Sequence, residues 1–152
     1  MNNDTAVLLV DVTSTPSLWS NGDPVRPDLD PEFKAAPGRG VFGLREADSG
    51  DYLAFMCYAS TSDVPSDIDE LRDLTMVGGR VIVPYTVWSL RRGAGKAIVH
   101  GVISYIASNG AGDRVVTLSP QTRMARRFHL KNGAKELRVN ETTVNFEYEV
   151  IC

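Results

Sequence analysis

A change of hydrophobic period at Gly95 is the feature that most constrains how this chain can fold. The segment 80–88 is rich in apolar residues, which is typical of a strand. After Gly95 the apolar residues recur at helical spacing, at Ile98, Val99, Val102, Ile103 and Ile106. A strand that leads directly into a helix favours an α/β fold with a mixed sheet.

The remaining segments supply further strands and helices around this unit. Strands are predicted at 6–12, 41–47, 52–59, 114–118, 135–139 and 143–150, and helices at about 65–71 and 122–131. Ser66 is the expected cap of the helix at 65–71. We therefore predict a single domain over 1–152, with an irregular N-terminal strand and loop at 1–40, a short helix near 31–36, and a core at 41–152.

The composition argues against a membrane protein, and the charges are unevenly distributed along the chain. The chain is 43% hydrophobic and 23% charged, and no apolar run is long enough to cross a bilayer, which favours a soluble globular protein without a membrane partner. Residues 1–76 carry a net charge of −9 and residues 77–152 one of +6. This asymmetry predicts that an anionic ligand meets the C-terminal half, unless the two halves simply attract each other.

The cysteines and the N-terminus bear on localisation. Cys57 lies in an apolar, strand-like run and Cys152 is the last residue, a placement that suggests a reduced cytoplasmic setting. The segment 1–4 has no basic residue, so a secretory signal is not expected.

The junction between the predicted strand and helix has the features of a phosphate-binding loop. Gly93 and Gly95 let the backbone turn tightly, and the N–H groups that open a helix favour an anion. Arg91, Arg92 and Lys96 add positive charge at the same place. The alternative is that the glycines serve turn geometry alone. The spacing fits neither a Walker loop nor a Rossmann fingerprint.

This loop resembles the Arg/Gln-x-x-Gly-x-Gly/Ala loop of GNAT (N-acetyltransferase-like) proteins, which cradles the pyrophosphate of coenzyme A. Gly93 and Gly95 match the two glycine positions, whereas Leu90 stands where arginine or glutamine is usual. The resemblance implies that the cofactor is held by Val87, Arg91, Arg92, Gly93, Ala94, Gly95 and Lys96.

A second stretch, 116–134, resembles the GNAT strand and helix that end in Ala-x-x-aromatic-Tyr-x-Lys-x-Gly-Phe. The matching residues are Ala125, Phe128, Lys131, Asn132 and Gly133. His129 occupies the position where a tyrosine often acts as the general acid that protonates the leaving thiolate. With its unperturbed pKa of about 6.5, a histidine can exchange a proton near neutrality.

Three segments, 117–120, 128–134 and 144–148, are similar to the catalytic domain of malonyl-CoA decarboxylases, which also have a GNAT fold. That resemblance implies that Ser119 and His129 form a catalytic pair. The decarboxylases carry a long insertion between the first two stretches and a helical N-terminal domain, neither of which these residues match. Short GNAT-like proteins, some encoded by phages, are also similar to this compact form.

The residues of the segment 116–134 also allow purely structural interpretations. His129 can be a core histidine, and Ser119 can be a capping hydroxyl at the end of a strand. Arg123, Arg126 and Arg127 fit a solvated helix face. The acidic total argues against a nucleic-acid partner.

We therefore expect one GNAT-fold domain, a twisted mixed sheet splayed between strands four and five, with acyl-CoA bound in the splay and no metal. The expected reaction is transfer of an acyl group, most simply acetyl from acetyl-CoA, to an unspecified amine in the cytoplasm. One alternative is a malonyl-CoA decarboxylase-like enzyme that uses Ser119 and His129. The other is a non-catalytic structural protein, assembled as a homo-oligomer or in a virion.

Overall fold

The computed structural model describes residues 6–151, which form one eight-stranded sheet with flanking helices. The strands are β1 (Val7–Asp11), β2 (Arg39–Glu46), β3 (Tyr52–Thr61), β4 (Val81–Ser89), β5 (Arg114–Val116), β6 (Ser119–Pro120), β7 (Lys135–Val139) and β8 (Thr143–Tyr148). The helices are α1 (Pro31–Lys34), α2 (Ile68–Leu74), α3 (Ala94–Asn109) and α4 (Arg123–Lys131), with a short 3-10 helix at Pro16–Leu18. The predicted α/β class is confirmed.

In the hydrogen-bonded order β1-β2-β3-β4-β5-β8-β6, strand β6 continues the register of β5 along one side of β8, and β7 pairs with the other side of β8. Neighbours from β1 to β4 are antiparallel, whereas β4 and β5 run parallel. Pairing between β4 and β5 covers only Val81 with Arg114 and Ile82 with Val115. One more backbone hydrogen bond, 2.9 Å from the N–H of Leu118 to the carbonyl of Pro84, precedes their divergence. The predicted splay between strands four and five is confirmed.

Each face of the sheet carries its own hydrophobic core. On one face α3 buries Ile98, Val99, Val102 and Ile106, the residues whose spacing predicted the helix. The other face is covered by the N-terminal segment, α1 and α2, which contribute Trp19, Phe33 and Leu71. Successive residues of β4 supply both cores, as the alternation of side chains in a strand requires.

Several predicted boundaries are wrong by a few residues. Asp67, not Ser66, caps α2, since its carboxylate accepts from the N–H of Glu70 at 2.8 Å while the Glu70 side chain accepts from the N–H of Ser66. Helix α3 begins at Ala94, directly after Gly93, whose φ of 83° is in the left-handed region.

The predicted strand 114–118 ends early, at Val116, because β4 diverges from the chain while β8 continues alongside it as far as β6. The N–H of Leu118 turns to β4, whereas Ser119 pairs with Val144 of β8. Strand β8 ends at Tyr148 rather than at 150.

A buried ion pair fixes the irregular segment between β1 and β2 on the sheet. The Lys34 ammonium lies 2.7 Å from the Asp23 carboxylate, and each side chain is only 3% exposed. The carboxylate also accepts from the Thr86 hydroxyl of β4 at 2.9 Å and from the N–H groups of Val25 and Arg26. Burial alone would raise the pKa of Asp23, but these hydrogen bonds hold it below its usual value.

None of the helices formed by residues 6–151 is both long and apolar enough to cross a membrane. Cys57 is a free thiol buried inside the sheet, and its burial raises its pKa. Cys152 lies outside the described residues, so the reduced setting stays a prediction.

Removal of Lys34 should destabilise the protein strongly, because Asp23 would remain as a buried carboxylate without its cation. We expect Lys34→Met to lower the free energy of unfolding by about 3–5 kcal/mol in urea denaturation. The matched control is Arg72→Met, which breaks the exposed pair with Asp69 and should cost less than about 1 kcal/mol. Equal losses for the two variants would contradict a structural role for the buried pair.

Candidate functional site

A cavity of about 380 Å³ occupies the splay where β4 leaves β5. One wall is β4, from Pro84 to Ser89. The facing wall is formed by β6 and α4, with Ser119, Pro120, Thr122, Met124, Ala125, Phe128 and His129. Gly95 of α3 lines the cavity near Ser89, and Pro24 and Val25 of the N-terminal segment complete the lining. The cavity therefore joins the two predicted site regions, which are far apart in sequence.

The β4 wall presents unpaired backbone groups to the cavity. The N–H of Leu90 donates to the carbonyl of Leu53 at 2.8 Å, which sets the alternation of hydrogen-bonded pairs between β3 and β4. By that alternation Val87 and Ser89 direct their N–H and C=O groups away from β3, to the open side of β4. An extended ligand could pair with these groups as a strand would.

The predicted phosphate loop has the backbone geometry of an anion site. Within residues 6–151, the N–H groups of Arg92, Gly93, Gly95 and Lys96 donate no backbone hydrogen bond. They surround the N-terminus of a helix of 16 residues, where the helix dipole favours negative charge. Gly95 is buried, and a Cβ there would lie 3.2 Å from the Phe128 ring, so the loop packs closely on α4.

The charged side chains of this loop differ in their surroundings. Arg91 forms an ion pair with Glu46 at 3.1 Å, which neutralises part of its charge. Arg92 and Lys96 are exposed and form no ion pair with the described residues. Leu90 is 63% exposed, so the side chain that departs from the family pattern projects into solvent.

His129 is buried on the cavity wall in aromatic surroundings. It stacks on Phe146 at 5.2 Å between ring centroids and meets Phe128 edge to face. Its Nδ1 lies 2.8 Å from the hydroxyl of Tyr148, which leaves Nε2 as the ring nitrogen available to a molecule in the cavity. Burial lowers the pKa of His129 to about 4, so the imidazole is neutral at pH 7 and the ordinary histidine pKa does not apply.

Ser119 shares the cavity with His129 but is hydrogen-bonded elsewhere. Its hydroxyl donates to the Thr117 hydroxyl at 2.8 Å, and that oxygen also accepts from the N–H of Phe146. Within residues 6–151 no hydrogen bond joins Ser119 to His129. Ser119 stands at the first position of β6, so a structural role for its hydroxyl at the end of a strand stays open, while Thr122 caps α4 through the N–H of Ala125.

The basic residues of α4 lie on its exposed side, as a solvated face requires. Arg126 pairs with Glu136 of β7, and Arg123 and Arg127 are exposed.

Sequence reasoning missed three residues at this site. Tyr148 is the partner of His129, and Thr117 is the partner of Ser119. Arg26 donates to the carbonyl of Tyr85 on β4 at 3.2 Å and to that of Leu118, the residue before β6, at 3.1 Å. Of these three residues, only Thr117 could have been predicted from the sequence, because its hydroxyl lies two positions before Ser119. The other contacts join distant segments.

No family model matches the chain, and no curated protein is similar to it in sequence. Solved structures do match it. A malonyl-CoA decarboxylase from Agrobacterium vitis is 16% identical with a TM-score of 0.72, and the match covers 97% of this chain and 61% of the decarboxylase. The GNAT-like decarboxylase GphF, solved with isobutyryl-CoA, is 12% identical with a TM-score of 0.73, covering 95% of this chain and 100% of that one.

A GNAT-family protein from Desulfovibrio desulfuricans is 17% identical with a TM-score of 0.63, and the match covers 96% of this chain and 100% of that one. Identities this low establish the fold alone. The protein is thus an α/β domain with a cavity between splayed strands, and its fold is that of the GNAT superfamily. The predicted resemblance is confirmed at the level of fold.

The neutral His129 should make stability depend on pH. An unfolded histidine titrates near pH 6.5, so between that pH and about 4 the unfolded chain binds more protons than the folded one. The free energy of unfolding should therefore fall as pH drops through this window, by up to roughly 3 kcal/mol.

Urea denaturation at about pH 7 and about pH 4.5 measures this loss. His129→Asn keeps an acceptor for Tyr148 without a titrating ring and should remove most of the loss, whereas His100→Asn, at an exposed position, should not. The same loss in wild type and His129→Asn would contradict the buried neutral imidazole.

Proposed function

We propose that this chain is an acyl-CoA-dependent acyltransferase of the GNAT kind, most simply one that transfers an acetyl group to an amine. The observation that carries the proposal is the extent of the cavity along β4. Its lining includes Gly95 of the loop, Ser119 and His129 on the facing wall, and Val25 of the N-terminal segment. Such a cavity offers room for a thioester donor from the loop and an acceptor from the opposite direction.

The donor would lie along the open edge of β4. The pyrophosphate would bind the free N–H groups between Arg92 and Lys96, with the exposed charges of these two side chains nearby. The amides of the pantetheine arm would pair with the backbone groups of Val87 and Ser89. The thioester would then reach the wall that carries Ser119 and His129.

The role of His129 follows from its hydrogen bond. Within residues 6–151 the Tyr148 hydroxyl has no acceptor other than Nδ1, and a buried hydroxyl rarely leaves its proton unbonded. With Tyr148 donating to Nδ1, the proton of the neutral imidazole is on Nε2. His129 then acts as a hydrogen-bond donor to the oxyanion that develops on the thioester carbonyl.

The transfer itself needs few protein groups. The nitrogen of a neutral amine attacks the carbonyl carbon, a C–N bond forms, the C–S bond breaks, and one amine proton ends on the sulfur of coenzyme A. Positioning of the two substrates, with the Nε2–H of His129 and the N–H groups of β4 directed to the oxyanion, would supply most of the rate.

A second candidate, decarboxylation of malonyl-CoA, is favoured by Ser119 and the neutral His129 at one apolar cavity. Loss of CO₂ breaks a C–C bond and moves its electron pair onto the thioester as an enolate. The Nε2–H of His129 would hold the enolate oxygen, and the Ser119 hydroxyl would give its proton to the carbon and regain one from solvent water. This reaction requires no base and no acceptor.

The phosphate loop can be tested with Gly95→Asp, which adds a negative charge beside the free N–H groups. We expect coenzyme A to bind at least about tenfold more weakly in calorimetry, a loss on the order of 1.4 kcal/mol. Gly95→Ala controls for the contact of a Cβ with Phe128. Gly101→Asp makes the same charge change farther along α3, where nothing lies within 4 Å, and should leave affinity unchanged. Unaltered affinity in a folded Gly95→Asp protein would rule out the loop.

The reaction can be tested with acetyl-CoA plus a panel of amines and, separately, with malonyl-CoA. His129→Ala should lower kcat by roughly 10²–10³-fold, the usual effect of removing one oxyanion donor. Coenzyme A affinity should change little, because the proposed contacts of coenzyme A are with the loop and the edge of β4. Relative to His129→Ala, His129→Tyr should recover part of the rate of amine acylation and little of the rate of decarboxylation. Ser119→Ala should lower the rate of decarboxylation more than the rate of amine acylation.

Absence of turnover and of coenzyme A binding by the wild type would overturn both reactions and favour a non-catalytic role, such as a virion component.

A further inference from the structure

Arg26 occupies the point where the sheet opens. Its Nε donates to the carbonyl of Tyr85 on β4 at 3.2 Å, and its Nη2 donates to the carbonyl of Leu118 at 3.1 Å. Leu118 is also the residue whose N–H makes the last backbone hydrogen bond to β4 before the strands separate. One guanidinium therefore spans both strands at the base of the cavity.

The guanidinium of Arg26 supplies hydrogen bonds to carbonyls that the divergence of the strands leaves without a strand partner. Tyr85 is an extra residue in β4, since the register shifts there between Cys57 with Thr86 and Tyr58 with Pro84. Where parallel strands diverge, carbonyls that would have joined the ladder lose their partners, and an unpaired buried carbonyl is costly. The planar fork of an arginine can serve two carbonyls at a fixed separation, which lysine cannot.

The position of Arg26 is itself fixed by the buried ion pair. The N–H of Arg26 donates to the Asp23 carboxylate at 3.0 Å, and its carbonyl accepts from the Lys34 ammonium at 3.3 Å. Asp23 is in turn bonded to Thr86 of β4. The guanidinium is thus held at both its backbone and its side-chain end.

We infer that Arg26 is a positioning residue that fixes the separation of β4 from β6, and with it the alignment of a thioester between the Val87 edge and Ser119 and His129. Arg26 acts through the strands it joins, without contact with the reacting atoms. The inference rests on the proposed use of the cavity for the pantetheine arm.

The test separates the arm of coenzyme A from its nucleotide. Adenosine 3′-phosphate 5′-diphosphate contains the pyrophosphate and lacks the arm, so it should bind through the loop alone. Calorimetry of Arg26→Met should show coenzyme A bound about tenfold more weakly, the order expected when charge-assisted hydrogen bonds are lost. Affinity for the nucleotide should stay within about twofold of wild type.

Chemical rescue distinguishes this role from general destabilisation. In Arg26→Gly, added methylguanidinium should restore coenzyme A affinity in a saturable manner, because it can occupy the vacated place between the two carbonyls. Arg39→Met is the matched control: Arg39 is also a partly buried arginine, bonded to the Phe33 carbonyl and to Thr75 away from the cavity. Arg39→Met should leave the ratio of the affinities for coenzyme A and for the nucleotide as it is in the wild type.

Equal weakening of both ligands, no weakening of either, or failure of rescue in a folded Arg26→Gly protein would overturn the inference while leaving the proposed function intact. If the wild type binds neither ligand, the proposed function fails. In that case amide exchange of Leu118, whose N–H bonds the Pro84 carbonyl, decides whether Arg26 fixes the strands. Faster exchange in Arg26→Met supports that role, and unchanged exchange contradicts it.

Discussion

The early end of pairing between β4 and β5 is the constraint on which the rest of this structure depends. The ladder stops after Ile82 and Val115, and past Leu118 the chain stays paired with β8 alone, which β5 has already joined. This divergence leaves the N–H and C=O groups of Val87 and Ser89 without a strand partner and opens the cavity between two walls. A sheet that remained paired here would bury the same side chains and have no interior site.

The open sheet is held by charged and polar contacts from a segment with little regular structure. Asp23 and Lys34 form a buried pair that also engages β4, and Arg26 extends from the same segment to join both strands. Buried ion pairs add little net stability relative to apolar side chains, because desolvation offsets their attraction. In this protein these contacts fix the position of the segment between β1 and β2, which has little regular structure to hold it on the sheet.

The sequence predicted those features that depend on local periodicity and turn chemistry. The spacing of Ile98, Val99, Val102 and Ile106 identified α3, and the glycines before it identified the loop. Contacts between distant segments could not be predicted from the sequence. The last bond of Leu118 to β4, the bridge by Arg26 and the bond from Tyr148 to His129 join residues 19 to 92 positions apart, and no local pattern marks them. The low pKa of His129 has the same origin, since it reflects burial against Phe146 and Tyr148.

The strand order also determines when each wall of the cavity can form during synthesis. Strands β1 to β4 pair with their neighbours in sequence, so the β4 wall can assemble as the chain emerges. Strand β6 pairs with β8, and Ser119 faces Val144. The β6 wall must therefore await β8, whose paired residues lie more than twenty positions further along the chain. The β4 wall can thus be in place before the wall that carries Ser119 is paired, and the cavity exists only when both walls are present.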